Sequence, residues 1–253
     1  MKPIVIIGAG EVGGVFARGF LKAGYPLYPV TRSMDVNQVA ENVADVEAVL
    51  VGVGEKDLQD VIASIPSAWK DKVILIQNEL LPRDWEGKLD NPTVVSVWFE
   101  KKPGQDYKVI IPSPAFGPHA ELLKDSMALI NVPINVVNTA DDLVFELVLK
   151  NVYILVTNIS GLETGGNVGE LWKSHQEVAR AVASDVMDIQ FKLANKEFDR
   201  EELINAMVRA FEGDLEHKCM GRSAPARLER ALSQADELGL EITKLRDIAA
   251  AKL

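Results

Sequence analysis

Ile4-Val5-Ile6-Ile7-Gly8-Ala9-Gly10-Glu11-Val12-Gly13-Gly14 decides how the chain is read. A run of β-favouring apolar residues enters Gly-x-Gly-x-x-Gly, and the spacing of Phe16, Ala17, Phe20 and Leu21 predicts a helix directly afterwards. Each glycine has its own task in such a turn. Gly8 permits the sharp exit from the strand, Gly10 lets the backbone approach a pyrophosphate, and Gly13 lets the helix sit close against the strand. The helix's unbonded N–H groups and positive dipole end then face the phosphates. Taken alone the motif is compatible with a ligand-free glycine turn. Between a strand and a helix it predicts a dinucleotide site built from Gly8, Ala9, Gly10, Glu11, Val12 and Gly13.

A second strand is expected over residues 25–30, with Pro26 and Pro29 favouring a sheet position where missing N–H donors are tolerated. NAD-preferring sites usually end this strand on a carboxylate that binds the ribose hydroxyls. Here the strand ends on Thr31-Arg32-Ser33. Arg32 can pair with a 2′-phosphate while Thr31 and Ser33 donate hydrogen bonds, so the spacing favours NADP. The alternative is a solvated Arg32 in a turn, balanced by Asp35.

Further along, strands are expected over residues 48–53, 73–77, 94–99, 109–112 and 134–137, with helices over 37–42, from Leu58, and over 119–129. The loop Gly54-Glu55-Lys56-Asp57 and the residue Asn78 fall at the carboxyl ends of their strands, where ligands of open α/β sheets collect. From Asp141 the strand signals vanish. Asp141 and Asp142 are read as the cap of a long helix through Asn158, followed by helices over 168–195, 199–211 and 225–238. Asp199 is the expected N-cap of one of these, and Gly239 the expected stop of another. The expectation is therefore an α/β chain. A Rossmann-type doubly wound sheet spans residues 1–138, and an all-helical domain for substrate and dimerisation spans 139–253.

Composition narrows the functions. With 27 Lys and Arg against 37 Asp and Glu, the formal charge of −10 argues against nonspecific nucleic-acid binding. Cys219, the single cysteine, allows no intrachain disulfide. His119, His175 and His217 lack metal-ligand spacing, so no metal site is expected. The first apolar run ends in the glycine turn and so reads as a strand, not a signal peptide. No uninterrupted apolar stretch approaches a membrane span of about 20 residues. The expectation is a cytoplasmic protein without membrane partners, and its long apolar helical half is consistent with a homodimer.

Several of these residues, in order, resemble the ketopantoate reductase (2-dehydropantoate 2-reductase) family, within the 6-phosphogluconate-dehydrogenase-like two-domain reductases. Gly8-Ala9-Gly10-Glu11-Val12-Gly13 is similar to the family's nucleotide turn and Thr31-Arg32-Ser33 to its NADP-selecting strand end. Gln77-Asn78 resembles a Gln-Asn pair near the nicotinamide, with Glu79 where Gly is usual. Phe116-Gly117-Pro118 and Asn131-Val132-Pro133-Ile134 are similar to the end of the nucleotide domain. Lys150, Asn158 and then Gly169-Glu170-Leu171 resemble the family's helix motif.

The resemblance implies reduction of a small 2-keto acid with NADPH in a cleft between two domains. Lys150 would be the general acid, Asn158 would orient the substrate, and Asn78 would lie near nicotinamide or substrate. The chemistry agrees with that assignment, because hydride addition to a ketone leaves an alkoxide that needs a proton and charge stabilisation. Lys150 sits in an apolar run where burial lowers an ammonium's pKa towards the working pH. The rival reading is a surface Lys150 paired with Glu146 one turn earlier.

Departures from the family are also visible. Ile154 replaces the intermediate Asn, Gly54 replaces a basic loop residue with Lys56 nearby, and the segment from Lys218 to Pro225 has no match for a substrate-binding Glu. Alternatives are therefore a different carbonyl or imine substrate, a hydroxy acid oxidised in reverse, or a non-catalytic NADP-binding protein.

Overall fold

Strand β1 (Ile4–Ile7) is apolar at every position and entirely buried, which places it in the middle of a sheet. The computed structural model describes residues 1–43 and 45–253. It divides into two units, Met1–Glu146 and Leu147–Leu253. The division falls two turns inside a continuous helix, whereas the loss of strand signals points to a boundary near Asn138.

In the first unit, β1 leads to α1 (Glu11–Lys22), β2 (Leu27–Val30), α2 (Val36–Asn42), β3 (Ala48–Val51), α3 (Leu58–Ser64), β4 (Val73–Leu75) and β5 (Thr93–Val95). A small antiparallel pair, β6 (Phe99–Glu100) and β7 (Lys108–Val109), precedes β8 (Ser113–Phe116), α4 (Ala120–Ala128) and β9 (Ile134–Val136). The seven-stranded sheet has the order β2-β1-β3-β4-β5-β8-β9. Its pairs from β2 to β5 are parallel, β5 and β8 pair antiparallel, and β9 returns parallel to β8. The doubly wound reading holds. One correction concerns the strand expected over 94–99, which divides into β5 and β6. Another concerns β8, which falls outside the expected elements because Pro114 within it masks the β signal.

Pro29 is on β2, the edge strand, where its missing donor leaves no ladder bond unmade. Helices α1 and α4 cover one face of the sheet over a core of Phe16, Phe20, Leu123 and Met127. They meet closely at Gly19, where a Cβ would lie 2.7 Å from Met127 Sδ and 3.1 Å from the Ser126 carbonyl oxygen.

The long helix α5 (Ala140–Thr164) starts on a cap different from the one expected. Thr139 Oγ1 accepts from the Asp142 amide at 3.1 Å, and Asp142 Oδ2 accepts from the Thr139 amide at 3.0 Å. This reciprocal capping box makes Thr139 the cap. The helix also extends past Asn158 to Thr164. By length and composition α5 could cross a membrane, but 83% of its most apolar window is buried inside the protein, as a core helix requires.

In the second unit α5 is followed by α6 (Val168–Ser174), α7 (Gln176–Ala194), α8 (Arg200–Glu212), α9 (Ala224–Leu238) and α10 (Thr243–Lys252). Four of these reach α5 by specific contacts. Asn151 donates to Gln190 of α7 at 2.8 Å, and Tyr153 packs on Phe211 of α8 with the rings tilted by 53° and their centroids 5.5 Å apart. Arg227 of α9 bonds Asn158 at 2.9 Å, and Lys244 of α10 pairs with Glu163 at 2.7 Å. Asp199 caps α8 through the Glu202 amide, and Gly239 ends α9 with φ +66°, both as expected. The helix expected over 168–195 is broken at His175 into α6 and α7, and α10 was not anticipated.

Candidate functional site

The chain leaves β1, makes β2 on one side of it, then crosses back to make β3 on the other. The strand order reverses at that point, and open α/β sheets bind ligands at such a switch point, beyond the strands' carboxyl ends. Here the backbones interlock at three glycines. Gly8 has φ +90°, in the left-handed region. A Cβ on Gly13 would lie 2.4 Å from the Gly8 carbonyl oxygen, and a Cβ on Gly52 would lie 2.6 Å from the same atom. Gly10 differs, since nothing lies within 4 Å of its Cβ position. Its missing side chain leaves open space at the helix start, which is the shape a pyrophosphate needs. Helix α1 has no side-chain cap bond at Gly10, and the Gly14 N–H closes onto the Gly10 carbonyl at 2.7 Å. The amides of Glu11, Val12 and Gly13 precede that bond and are the donors such a site offers. Glu11 points its carboxylate to Lys101 at 2.8 Å, while the Val12 side chain packs against the core.

Beside this turn lies a cavity of 710 Å³, whose wall includes Gly8, Gly10, Thr31, Arg32, Gly54 and Asp57. Its volume and its glycine wall suit a nucleotide. Thr31 and Ser33 hydroxyls lie 3.1 Å apart. The Arg32 side chain is 94% exposed and pairs with Asp57 at 3.3 Å. Asp35, the neighbour the sequence offers as its balance, instead caps α2 through the Asn37 and Gln38 amides. So exposed an ion pair is weak and easily exchanged for another anion.

Behind the turn, Gln77 is buried and donates to the Val51 and Val53 carbonyls at 2.6 and 3.1 Å. It braces the loop that carries Gly52. Asn78 reaches the sheet's carboxyl edge, where it donates to Glu55 at 3.1 Å. Glu79 has φ +59°, which explains why a glycine suits that position. Gly117 and Asn131 also have positive φ, the backbone conformation of turn formers. His119 likewise serves the fold, its amide bonding Thr93 at the entry to α4.

The second unit carries a separate cluster on α5. Lys150 is 8% exposed, and burial, reinforced by the positive charge of Arg227, lowers its pKa to about 7. Its Nζ lies 5.8 Å from the Tyr153 ring centroid. The exposed-surface reading of Lys150 is excluded by that burial. Asn158 lies two turns further along and is also buried. Its Oδ1 accepts from Arg227 Nη1 at 2.9 Å, and its Nδ2 lies 3.4 Å from Thr157 Oγ1. Ile154, between them, is buried and apolar. Glu170 of the Gly-Glu-Leu triplet closes a capping box with Asn167 at the start of α6, so that triplet serves the helix start. Sequence reasoning missed Gly52 and Arg227, and it placed Asp57 at the ligand edge without its pairing to Arg32. Gly52 was hidden by extending β3 to residue 53. For Arg227 the one local signal is a cation in the first turn of a helix, where the dipole disfavours it.

No family model and no curated protein matches the chain. Solved structures do. A PanE/ApbA family ketopantoate reductase from Ralstonia eutropha JMP134 is 16% identical, with 99% of this chain and 97% of that chain covered and a TM-score of 0.69. A 2-dehydropantoate 2-reductase from Methylococcus capsulatus is 11% identical, covers 98% and 95%, and has a TM-score of 0.71. D-mandelate dehydrogenase, solved with NADH, is 14% identical, covers 100% and 97%, and has a TM-score of 0.70. At these identities the likeness establishes a shared fold, that of the ketopantoate reductases, over nearly the whole chain.

The two kinds of glycine in the turn predict opposite mutant behaviour. Gly10→Val should melt near the wild-type temperature, because its Cβ enters open space at an ordinary φ of −76°. It should nevertheless lose dinucleotide binding. Gly13→Val should lower stability by about 1–3 kcal/mol or more, since its side chain enters an occupied backbone. Thermal melting with fluorescence titration of NADPH checks both, and undiminished affinity in folded Gly10→Val contradicts the assignment.

Proposed function

We propose that the chain is an NADP-dependent oxidoreductase that reduces a small 2-keto acid to the 2-hydroxy acid. The observation that carries the reading is Lys150, a buried ammonium with a pKa of about 7, in a chain that also has an open glycine turn at a sheet switch point. The nicotinamide cofactor, when bound, supplies a hydride. In the proposed reaction the first unit binds the hydride donor, and Lys150 of the second unit is the proton donor.

In this reading Glu11, Val12 and Gly13 donate backbone N–H groups to the pyrophosphate, and Gly10 gives it room. Arg32 exchanges Asp57 for the 2′-phosphate, with Thr31 and Ser33 beside it. Asn78 orients the nicotinamide or the substrate from the carboxyl edge of β4. Lys150 stabilises the negative charge that grows on the carbonyl oxygen and then gives that oxygen its proton. A pKa of about 7 suits the task, because the group is both substantially protonated and a willing donor near neutrality. The neighbours in fold include ketopantoate reductases and D-mandelate dehydrogenase, which supports a keto or hydroxy acid as substrate class. Ile154 in place of the family's Asn favours an acid other than ketopantoate itself.

The test is NADPH oxidation across a panel of 2-keto acids, ketopantoate included. Turnover is expected with at least one member, and NADPH binding without turnover on any would make the chain a binding protein instead. Lys150→Ala should fold and bind NADPH but lose roughly 10²–10⁴-fold in turnover, the usual scale for a lost proton donor. Because the donor is the protonated form, wild-type reduction should fall as pH rises through about 7, and that limb should vanish in Lys150→Ala. Full activity in the variant removes Lys150 from the mechanism. For the cofactor, Arg32→Asp should reverse the preference for NADPH over NADH by turning attraction into repulsion. An unchanged affinity ratio would leave Arg32 a solvated turn residue.

A further inference from the structure

Among the described residues, the wall of the 710 Å³ cavity carries one cation, Arg32, and two carboxylates, Asp57 and Asp60. A 2′-phosphate bound at Arg32 would therefore meet negative side chains as well as a positive one. Asp57 ends the short 3-10 turn Glu55–Asp57 and occupies the N-cap position of α3. An aspartate there ordinarily accepts an amide bond from its own helix. Asp57 makes no such bond, and its Oδ2 accepts from Arg32 Nη2 at 3.3 Å instead. Arg32, whose nearer acid Asp35 is occupied in capping α2, reaches across to it from the end of β2.

This carboxylate stands one hydrogen bond away from the guanidinium that would take the phosphate. A phosphate monoester carries about −1.5 to −2 charges near neutrality. Within a few ångströms it is repelled by Asp57 as well as attracted by Arg32. NADH brings a neutral 2′-hydroxyl to the same place. It needs no exchange of the Arg32–Asp57 pair, and the Thr31 and Ser33 hydroxyls, 3.1 Å apart, offer it neutral partners.

We propose that Asp57 is a specificity-determining residue that offsets Arg32, keeping the preference for NADPH small and letting the chain use NADH as well. The inference rests on the dinucleotide reading of the glycine turn and deepens it, from which cofactor is bound to how sharply the two are distinguished. Asp57 acts in two ways. It occupies Arg32 when no phosphate is present, and once Arg32 has turned to the phosphate it remains nearby as a like charge. Both effects fall on NADPH alone. The Arg32 side chain is almost fully exposed, so each effect is modest and screened by salt.

Fluorescence titration of NADPH and NADH into the full chain, wild type beside Asp57→Asn, Asp57→Ser and Asp60→Asn, tests the proposal. The wild type should bind both, NADPH tighter by no more than about 10-fold, the scale of one exposed charge pair. Asp57→Asn removes the charge and keeps the shape. At low ionic strength it should tighten NADPH about 3–10-fold and leave NADH within about twofold, and the difference should shrink in about 0.5 M salt. Asp57→Ser, neutral and itself a favoured N-cap, should behave alike and keeps the test available if Asp57→Asn fails to fold. Asp60→Asn should move the ratio less, since the bond to Arg32 is made by Asp57. An equal shift in Asp60→Asn would assign the effect to the overall charge of the cavity and overturn the role given to Asp57. An unchanged NADPH-to-NADH ratio in folded Asp57 variants also overturns the proposal. So does a loss of NADPH affinity, which would make Asp57 a positioning residue for Arg32, and so does a wild type that binds NADPH alone. A wild type that binds neither dinucleotide overturns the reading of the glycine turn itself, so the two failures are distinguishable.

Discussion

The Gly8 carbonyl oxygen is the atom around which the first unit closes. A Cβ on Gly13 or on Gly52 would stand 2.4 or 2.6 Å from it, so helix α1, the turn after β1 and the end of β3 meet with no side chain among them. That approach brings the N-terminus of α1 to the sheet's carboxyl edge, beside the loop ends of β2, β3 and β4. Gln77, whose amide bonds the Val51 and Val53 carbonyls, holds the third strand of the arrangement from below. The spare space at Gly10 has meaning only because Gly8, Gly13 and Gly52 leave no space elsewhere. A phosphate-binding turn needs both properties, close backbone packing on one side and an open approach on the other.

In the second unit the governing constraint is electrostatic. Helix α5 is a core helix, and a lysine within it has lost much of its hydration, which lowers its pKa to about 7. Replacing Lys150 with an apolar residue would relieve that strain, so its presence argues for use over stability. The positive charge of Arg227 adds to the cost of protonating Lys150. Asn158 illustrates how a residue's apparent task changes with its neighbours. As a member of a sequence motif it reads as a substrate contact. In the fold its carbonyl oxygen accepts a hydrogen bond from Arg227.

Much of the first unit could be read from sequence because the relevant signals are local. The strand, the glycine spacing and the helix occupy one short stretch, and Pro29 correctly announced an edge strand. Asp199 and Gly239 were readable for the same reason, since a cap acts on its own helix. The misses involve either weak local signals or distance along the chain. Pro114 hid β8, and continuous apolar spacing concealed the break at His175. Asp35 seemed the natural partner of Arg32 because it is three residues away, yet it caps α2 and leaves the pair to Asp57, 25 residues from Arg32. Arg227 lies 69 residues from Asn158, and only the packing of α9 on α5 brings them together. The residues flanking Lys150 left both a buried and a surface reading open, and its repulsion by Arg227 had no local signal at all.

In the proposed reaction a hydride moves from a nicotinamide to the keto carbon of a small acid. The most direct measurement uses NADPH deuterated on one face of C4, with the keto acid that supports turnover, and follows the product by proton NMR and mass spectrometry. One of the two labelled faces should transfer its deuterium to C2 of the 2-hydroxy acid, one atom per turnover, with a single configuration at that carbon. Product carrying no deuterium at C2 from either labelled face would contradict it.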